Sequence, residues 1–305
     1  MLRLILARAF GGFVVLAAVA TISFFLLRAA KGGPFDEERN VPPEIQRNIE
    51  ERYHLRDPLW KQYTHHMAGM LTFDFGHSMK RQQTVNEIIA THFPYSITLG
   101  VMSILIAVAL GVSAGVVAAW KRNTWTDYAM MTVALLGISI PSFVLGPLLI
   151  AGFALHLHLL PPARVEGLSS YILPALALGL IYAGTIARLS RGGMLETLNQ
   201  DFIRTARAKG LSERAVVLRH ALRIGLVPVL TYLGPATAAL VSGSFVIEKI
   251  FQIPGLGFFF VTTIAERDYP VLTGVLTFYI AFLVLLNLLV DIGYGLLDPR
   301  IRDKR

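Results

Sequence analysis

The sequence predicts an all-α polytopic membrane protein with six transmembrane helices, plus short amphipathic helices outside the membrane. Hydrophobic residues make up 54% of the 305 residues and charged residues only 16%, whereas soluble domains carry roughly 25% charged residues. The mean hydropathy is +0.57. Six uncharged runs, separated by charged loops, each come close to the roughly 20 residues that a helix needs to cross hydrocarbon.

The six runs are the predicted spans. They are Phe10–Leu27, Tyr95–Ala119, Tyr128–Leu155, Ser169–Ala187, Ile224–Ile247 and Val271–Val290. The first run contains Ala18-Val19-Ala20, which resembles a signal-peptidase site. Cleavage there would divide the apolar run, so we interpret it as a retained first span.

Lysine and arginine are concentrated in alternate loops, which orients the bundle. Segment 188–223 holds eight basic residues and three acids, whereas loops 156–168 and 248–270 hold one and two basic residues. By the positive-inside rule, both termini and segment 188–223 lie in the cytoplasm. The net charge of +8 is therefore assigned to cytoplasmic loops, and no nucleic-acid partner is predicted.

The same reasoning divides the chain into four parts. Residues 1–30 form the cytoplasmic N-terminus and first span, and residues 31–94 form an extracytoplasmic helical region. Residues 95–297 form the five-helix core, which includes the cytoplasmic loop 188–223, and residues 298–305 form a cytoplasmic tail.

Two stretches of the extracytoplasmic region have apolar side chains spaced four residues apart, which is typical of amphipathic helices. These side chains are Ile45, Ile49 and Tyr53 in the first stretch and Leu59, Tyr63 and Met67 in the second. Asp57 is the predicted N-cap of the second helix, with Pro58 at its first position. The helices either lie on the bundle or contact an external partner.

Small residues recur every fourth position in two spans, which lets helix backbones approach closely in lipid. They are Ser103, Ala107, Gly111, Gly115 and Ala119 in the second span and Gly234, Ala238 and Ser242 in the fifth. These seams pack either within this chain or against a second membrane subunit.

Motifs for catalysis and metal binding are absent from the sequence. There is no cysteine, and the His65-His66 and His156-x-His158 pairs lack the spacing of ligands on one helix face. No GxSxG, HExxH or Walker A motif is present. We therefore predict no catalytic, metal or cofactor residues in this chain.

The predicted spans also lack charged residues near their centres, where ion-coupled carriers place relays and ion ligands. Energy for any transport must then come from elsewhere. The prolines of "GISIPSFVLGP" free backbone carbonyls, which are tolerated only where protein or a cavity covers them. They mark either a substrate route, with Ser139, Pro141, Ser142 and Phe143 as candidate lining residues, or a packing kink.

The stretch "DFIRTARAKGLSERAVVLRHAL" interrupts the apolar pattern with two short predicted helices. Asp201 is a candidate N-cap for Phe202–Lys209, and Gly210 suits the left-handed position after it. Ser212 caps the second helix, with Glu213 in its first turn. A helix this short needs a packing partner, which is either a soluble protein or the lipid head groups.

Several stretches in the same order carry a resemblance that covers essentially the whole chain. They are "YHLRDPLWKQY", "FDFGHSM", "FPYSITLG", "GISIPSFV", "TARAKGLSERAVVLRHALRIGLVPVLT" and "FVIEKIFQIPGLGFFF". The chain resembles the ABC-importer permeases of the peptide-transport family, and among these the oligopeptide permeases. In the wider family a glutamate stands where this chain has Arg204, so no role that rests on a glutamate is transferred.

The resemblance implies a type I ABC importer fold in a bacterial inner membrane. It also implies a second homologous permease, an extracytoplasmic peptide-binding protein, and two cytoplasmic ATPases that bind ATP and Mg. The residues implied in coupling to an ATPase are Asp201, Phe202, Ile203, Arg204, Thr205, Ala206, Arg207, Ala208, Lys209, Gly210 and Leu211. Phe202, Ile203 and Ala206 are expected to fill the ATPase cleft.

Contact with the binding protein is expected at Gln252, Pro254, Gly255 and Gly257. The function implied is oligopeptide import driven by ATP hydrolysis in the partner subunits. Dipeptides, nickel chelates or another cargo are alternatives within the family. A self-powered secondary carrier is the alternative from a different class.

Overall fold

The computed structural model describes residues 2–29, 56–241 and 244–297. Within these residues the chain is almost entirely helical, and its one extended pairing is an isolated antiparallel bridge between His77 and Thr84. The all-α prediction is confirmed. The predicted helix over 42–55, Ser242 of the fifth-span seam and the basic tail 298–305 lie outside the described residues.

The helices follow one another with short connections. In the first half they are α1 (Leu2–Ala29), α2 (Leu59–Thr72), α3 (Val85–Trp120), α4 (Trp125–Ser139), and α5 (Ser142–Leu149), which continues as a π-helix, Ile150–His156. In the second half they are α6 (Ile172–Leu198), α7 (Asp201–Ala208), α8 (Glu213–Ala215), a π-helix (Val216–Ala221), α9 (Leu222–Gly225), α10 (Val227–Val241), α11 (Phe245–Ile250), α12 (Leu256–Glu266) and α13 (Tyr269–Leu297).

Four helices are long and apolar enough to cross a membrane without a break: Leu6–Ala29, Val85–Trp120, Leu168–Leu198 and Tyr269–Val290. Two helix pairs meet the same criterion only together, with bends of 108° between Ser139 and Ser142 and of 53° between Gly225 and Val227. Counting each bent pair as one span gives the six spans that the sequence predicts. The third and fifth predicted spans are broken because Pro141 and Pro228 interrupt the backbone hydrogen bonding of a continuous helix.

The chain forms two compact units. The first comprises Met1–Pro94 and Gly255–Arg305, and the second comprises Tyr95–Pro254. These units describe packing, whereas the predicted four-part division describes sidedness, which stays a prediction.

In the first unit, α1 and α12 pack against α13, and α2 contacts α1. The core is formed by fully buried side chains of α3, α12 and α13, among them Ile88, Leu256 and Val271. The loop before α3 is fixed by a buried carboxylate, Asp268, which accepts hydrogen bonds from the Ser78 hydroxyl and from the Met79 N–H.

In the second unit, α6 is the central helix, with α4, α5, α9 and α10 packed on it. The seam of α3 faces this helix: a Cβ added at Gly111 would lie 2.6 Å from the Ala183 carbonyl oxygen, and one at Gly115 would meet the Ala187 carbonyl. The small residues of the second span therefore pack within this chain. This resolves the alternative that the sequence left open for that seam.

Two details predicted for α2 are wrong, the N-cap and the burial of Leu59, whereas Tyr63 packs against Phe24 and Phe25 of α1 on the predicted apolar face. The N-cap of α2 is Pro58, with no side-chain cap, because Asp57 instead pairs with Lys61 (3.2 Å). Leu59 is 55% exposed, whereas Gln62 is buried. α2 attaches to α1 through polar and aromatic groups, since the Tyr63 hydroxyl lies 2.9 Å from Thr21 Oγ1.

Candidate functional site

Helix α7 is exposed on one face and anchored on the other. Ile203 is fully buried and Ala206 is 6% exposed. They belong to an apolar cluster that also contains Met194 of α6 and Val216 and Val217 of the following π-helix. The packing against its own chain stabilises a helix that is too short to be stable alone.

The start of α7 differs from the prediction by one residue. The N-cap is Gln200, and no side chain caps the helix there. Asp201 is the first helical residue, and its carboxylate accepts a hydrogen bond from Arg204 Nη1 (3.4 Å). The assignment of Asp201 as the N-cap is wrong, although its charge still lies in the first turn, where the helix dipole favours it.

The end of α7 agrees with the prediction. Gly210 has φ +79°, and its N–H donates to the Arg207 carbonyl (2.9 Å). The Ser212 hydroxyl accepts from the Ala215 N–H (3.4 Å) and caps the next helix. Across the turn, Arg207 Nε and Nη2 donate to the two carboxylate oxygens of Glu213 at 2.7 and 3.2 Å, which links the two helices.

The outward face of this segment combines two apolar side chains with basic ones. Phe202 and Leu211 are each 38% exposed, and Arg204 and Lys209 are exposed beside them. We call residues 201–211 the coupling segment, after the role that the sequence analysis predicts for them. Ile203 and Ala206 are committed to the chain's own core, so the expectation that they fill a partner's cleft is wrong.

An ion pair that the sequence analysis missed ties α4 to α6 within the same unit. Asp127 is 1% exposed, and its two oxygens accept from Arg191 Nε and Nη2, each at 2.7 Å. Oδ2 also accepts from the Asn123 N–H (3.0 Å). The sequence offered one local signal for this pair. Asp127 is an acid in the first turn of a helix, and its partner, 64 residues away, lies in a basic segment.

The four candidate lining residues lie together at the 108° bend. Ser139 ends α4 and its hydroxyl donates to the Leu135 carbonyl (2.9 Å), while Pro141 is the N-cap of α5. Ser142 begins α5, and Phe143 is 57% exposed. The structure brings these residues together, and their role in a substrate route stays a prediction.

Comparison with known proteins gives this architecture a family. Residues 111–303 match the family described as "Binding-protein-dependent transport system inner membrane component". Residues 1–100 match the model of the N-terminal part of such membrane components. The chain belongs to this family of permeases.

Curated relatives match this permease over nearly its whole length. The oligopeptide transport system permease protein OppB of Escherichia coli K12 is 47% identical over 305 residues, covering 99% of this chain and 100% of the relative. The dipeptide transport system permease protein DppB of Bacillus subtilis is 46% identical over 303 residues, covering 99% and 98%. The glutathione transport system permease protein GsiC of Escherichia coli O1:K1 is 37% identical over 306 residues, covering 100% of each chain.

The residues predicted to contact a binding protein differ in exposure. In the second unit Gln252 is exposed with φ +51°, and its side chain accepts from Arg164 Nε at 3.5 Å. Pro254 is half-buried, whereas Gly255 and Gly257 of the first unit are buried. The two glycines are covered because Leu256 between them is inserted in the core, and their contact with a binding protein stays a prediction. Contact by Gln252 and Pro254 stays a prediction.

Glu248 is a third buried carboxylate, and the sequence analysis did not single it out. It is fully buried in α11, and Ser96 donates its hydroxyl proton to Glu248 Oε1 at 2.8 Å. The acid stands one residue beyond the end of the fifth predicted span, Ile224–Ile247. The hydrogen bond crosses 152 residues of sequence and joins α11 to the start of the membrane part of α3 in the second unit.

Proposed function

We propose that this permease is the translocation subunit of a binding-protein-dependent ABC transporter that imports oligopeptides. ATP hydrolysis in partner subunits drives the import through the coupling segment. One observation carries the proposal: a short helix is anchored inside the chain by Ile203 and Ala206 and presents Phe202 and Leu211 between exposed basic residues. An apolar centre with a charged rim is the usual composition of a protein interface.

The anchoring gives a route for mechanical force. A displacement of α7 is transmitted to Met194 of α6 through the apolar cluster, because packed interiors resist deformation. The Asp127–Arg191 pair transmits the displacement of α6 to α4. Helix α4 ends at the bend beside Pro141. Closure of two ATPases then shifts the population between inward-open and outward-open states.

The partners follow from this mechanism. The ATPases bind ATP and Mg, and a second permease provides the other half of the translocation path. A binding protein delivers cargo on the extracytoplasmic side, and lipid surrounds the spans. Both termini lie in the cytoplasm together with the coupling segment, in keeping with the concentration of basic residues in 188–223.

Oligopeptides are the proposed cargo because the relative named for them is 47% identical over the whole chain. Dipeptides are the alternative, since the relative named for them is 46% identical. Uptake of labelled di- and pentapeptides by a deletion strain complemented with this permease separates the two. We expect loss of pentapeptide uptake on deletion and its return on complementation; loss confined to the dipeptide would reverse the assignment.

Co-purification in detergent tests the coupling segment. We expect ATPase subunits to co-purify with the wild-type permease and to be reduced about tenfold by combined Phe202→Ala and Leu211→Ala substitutions, since truncating interface anchors typically costs 1 kcal/mol or more. Leu230→Ala removes an apolar side chain that is 53% exposed on α10 and is the matched control. Full retention of the ATPases by the double variant would contradict the proposal.

A further inference from the structure

A cavity of about 600 Å³ lies in the first unit, and its wall carries one arginine, one acid and three histidines. It is lined by the end of α1, by α2, by the loop after α2 and by the start of α13. Its charged and imidazole lining groups in the described part of the chain are Arg28, His65, His66, Asp74 and His77. One oxygen of Asp74, the acid among them, accepts a hydrogen bond from the Gly76 N–H (3.1 Å).

Arg28 is a half-buried cation on this wall. Its Nε donates to Gln62 Oε1 (2.9 Å), its Nη1 donates to the Phe24 carbonyl (3.4 Å), and its guanidinium carbon lies 3.6 Å from the centroid of the Phe24 ring. Among the described residues, no carboxylate forms an ion pair with it. A partly desolvated cation that contacts only neutral acceptors and an aromatic ring carries a desolvation cost. An anion bound beside it reduces that cost.

His66 adds an unmatched polar atom beside Arg28. Its ring packs on the same Phe24, with 5.4 Å between the centroids, and its buried Nε2 has no hydrogen-bond partner within the described part of the chain. Burial and the nearby charge of Arg28 lower the pKa of His66 to about 4, so the imidazole is neutral at pH 7. In the Nε2–H tautomer it is a donor that requires an acceptor.

The surroundings of the cavity are those of a membrane surface. Arg28 is one residue from the end of the first span, Leu6–Ala29, the depth at which lipid phosphates lie. Helix α2 leaves Leu59, Trp60 and Leu71 at least half exposed, at 55%, 67% and 67%. Tryptophan is enriched at this level of membrane proteins, and amphipathic helices insert their apolar face at the boundary of head groups and acyl chains.

We propose that the cavity binds the phosphate of an anionic phospholipid. Arg28 and the Nε2–H of His66 donate to the phosphate oxygens, while the acyl chains cover the exposed apolar side chains of α2. A phosphodiester supplies a negative counter-ion for Arg28 and a hydrogen-bond acceptor for His66. The bound lipid connects α2 to the end of α1 and stabilises the first unit from its membrane side.

Lipid retention by the full transport complex tests this proposal. The complex is equilibrated in mixed micelles of phosphatidylglycerol and phosphatidylcholine, and bound lipid is counted by native mass spectrometry. We expect one phosphatidylglycerol to be retained in preference to phosphatidylcholine. Arg28→Gln and His66→Gln should each weaken its retention about tenfold. Arg122→Gln, which removes an exposed arginine of the second unit, is the control for total charge and should change nothing.

Further arms separate the sources of the anion. Inorganic phosphate, and separately a peptide with a free carboxylate, are added to the wild-type complex at millimolar concentration; neither should displace phosphatidylglycerol. Displacement by phosphate would assign the cavity to a free anion, and displacement by the peptide would assign it to cargo. Either result would overturn the lipid proposal. Equal retention of the two lipids by the wild type, or unchanged retention by both cavity variants, overturns it as well.

Discussion

Helices α7 and α2 are both short and amphipathic, and the side chains that they bury differ in kind. Helix α7 buries Ile203 and turns its arginines outward. Helix α2 buries Gln62 and turns Leu59 and Trp60 outward. Under the two proposals made above, the difference reflects the medium that each helix faces: water and a protein partner outside α7, and lipid outside α2.

The largest expected effect separates the two faces of α7. Ile203→Ala should lower the free energy of unfolding by about 3 kcal/mol, because it removes a fully buried side chain and leaves a cavity. Phe202→Ala, at a 38% exposed position, should change stability by less than about 1 kcal/mol while weakening ATPase binding. Thermal unfolding of the purified permease, paired with co-purification of the ATPases, measures both. Equal destabilisation by the two variants would remove the distinction between the faces.

Gly210 tests the turn that holds α7 in place. A Cβ at this position meets nothing within 4 Å, but φ is +79°, so Gly210→Val adds backbone strain of about 1–2 kcal/mol without a steric clash. We expect ATP hydrolysis to continue while peptide uptake falls in proteoliposomes. Gly210→Asn is the matched control because asparagine tolerates the left-handed region, and it should retain most uptake. Normal uptake by the valine variant would contradict the requirement for this turn.

The pH dependence of stability sharpens the description of α2. The pKa of His66 falls from 6.5 to about 4 in the folded protein, because burial and then the charge of Arg28 disfavour the imidazolium. Between these values the unfolded chain binds a proton that the folded chain does not, so stability is full above pH 6.5 and decreases as pH falls towards 4. At pH 5.5 the loss is about 1 kcal/mol. The other titratable or charged groups on the cavity wall are Arg28, His65, Asp74, His77 and Tyr269.

Melting temperatures at pH 7.5 and 5.5, in nonionic detergent without added lipid, measure this slope. His66→Gln should flatten it, whereas His65→Gln, at the exposed neighbouring position, should leave it unchanged. A slope that is identical in wild type and His66→Gln would show that His66 is not held neutral.

The smallest effect is a spectroscopic one, and it compares the media directly. In a Trp120→Phe, Trp125→Phe variant, Trp60 is the remaining tryptophan, and brominated lipid in nanodiscs should quench its fluorescence. Adding Trp60→Phe and Phe202→Trp moves the reporter to α7, where acrylamide in water should quench it until the ATPases bind. Quenching of both reporters by lipid would remove the contrast between the helices.

Local signals made parts of the coupling segment predictable. The roles of Gly210 and Ser212 could be predicted because each depends only on residues within one helical turn. The left-handed conformation of Gly210 follows from backbone sterics, and the cap formed by Ser212 follows from its hydroxyl. Leu59 of α2 was wrongly predicted to be buried because the rule that apolar side chains point inward assumes water outside. Where lipid covers a helix, apolar side chains face out and polar groups pair inside.

Long-range pairs were not predictable from one sequence. The partners in Asp127–Arg191, Ser96–Glu248 and Ser78–Asp268 are separated by 64, 152 and 190 residues, and no local pattern links them. The prolines predicted that the third span would break, but the 108° angle at Ser139–Ser142 depends on how α4 and α5 pack on α6.

The most direct test uses the absence of cysteine from this chain. Single Phe202→Cys and Ile203→Cys permeases are assembled with the second permease and the ATPases, after native cysteines of those subunits are replaced, and are treated with a bifunctional thiol-to-amine cross-linker. We predict that the thiol at position 202 cross-links to an ATPase and that cross-linking stops peptide uptake, while the thiol at position 203 stays unreactive. A thiol at position 202 that reacts as freely with a water-soluble maleimide in the full complex as in the permease alone would contradict transmission of force through this segment.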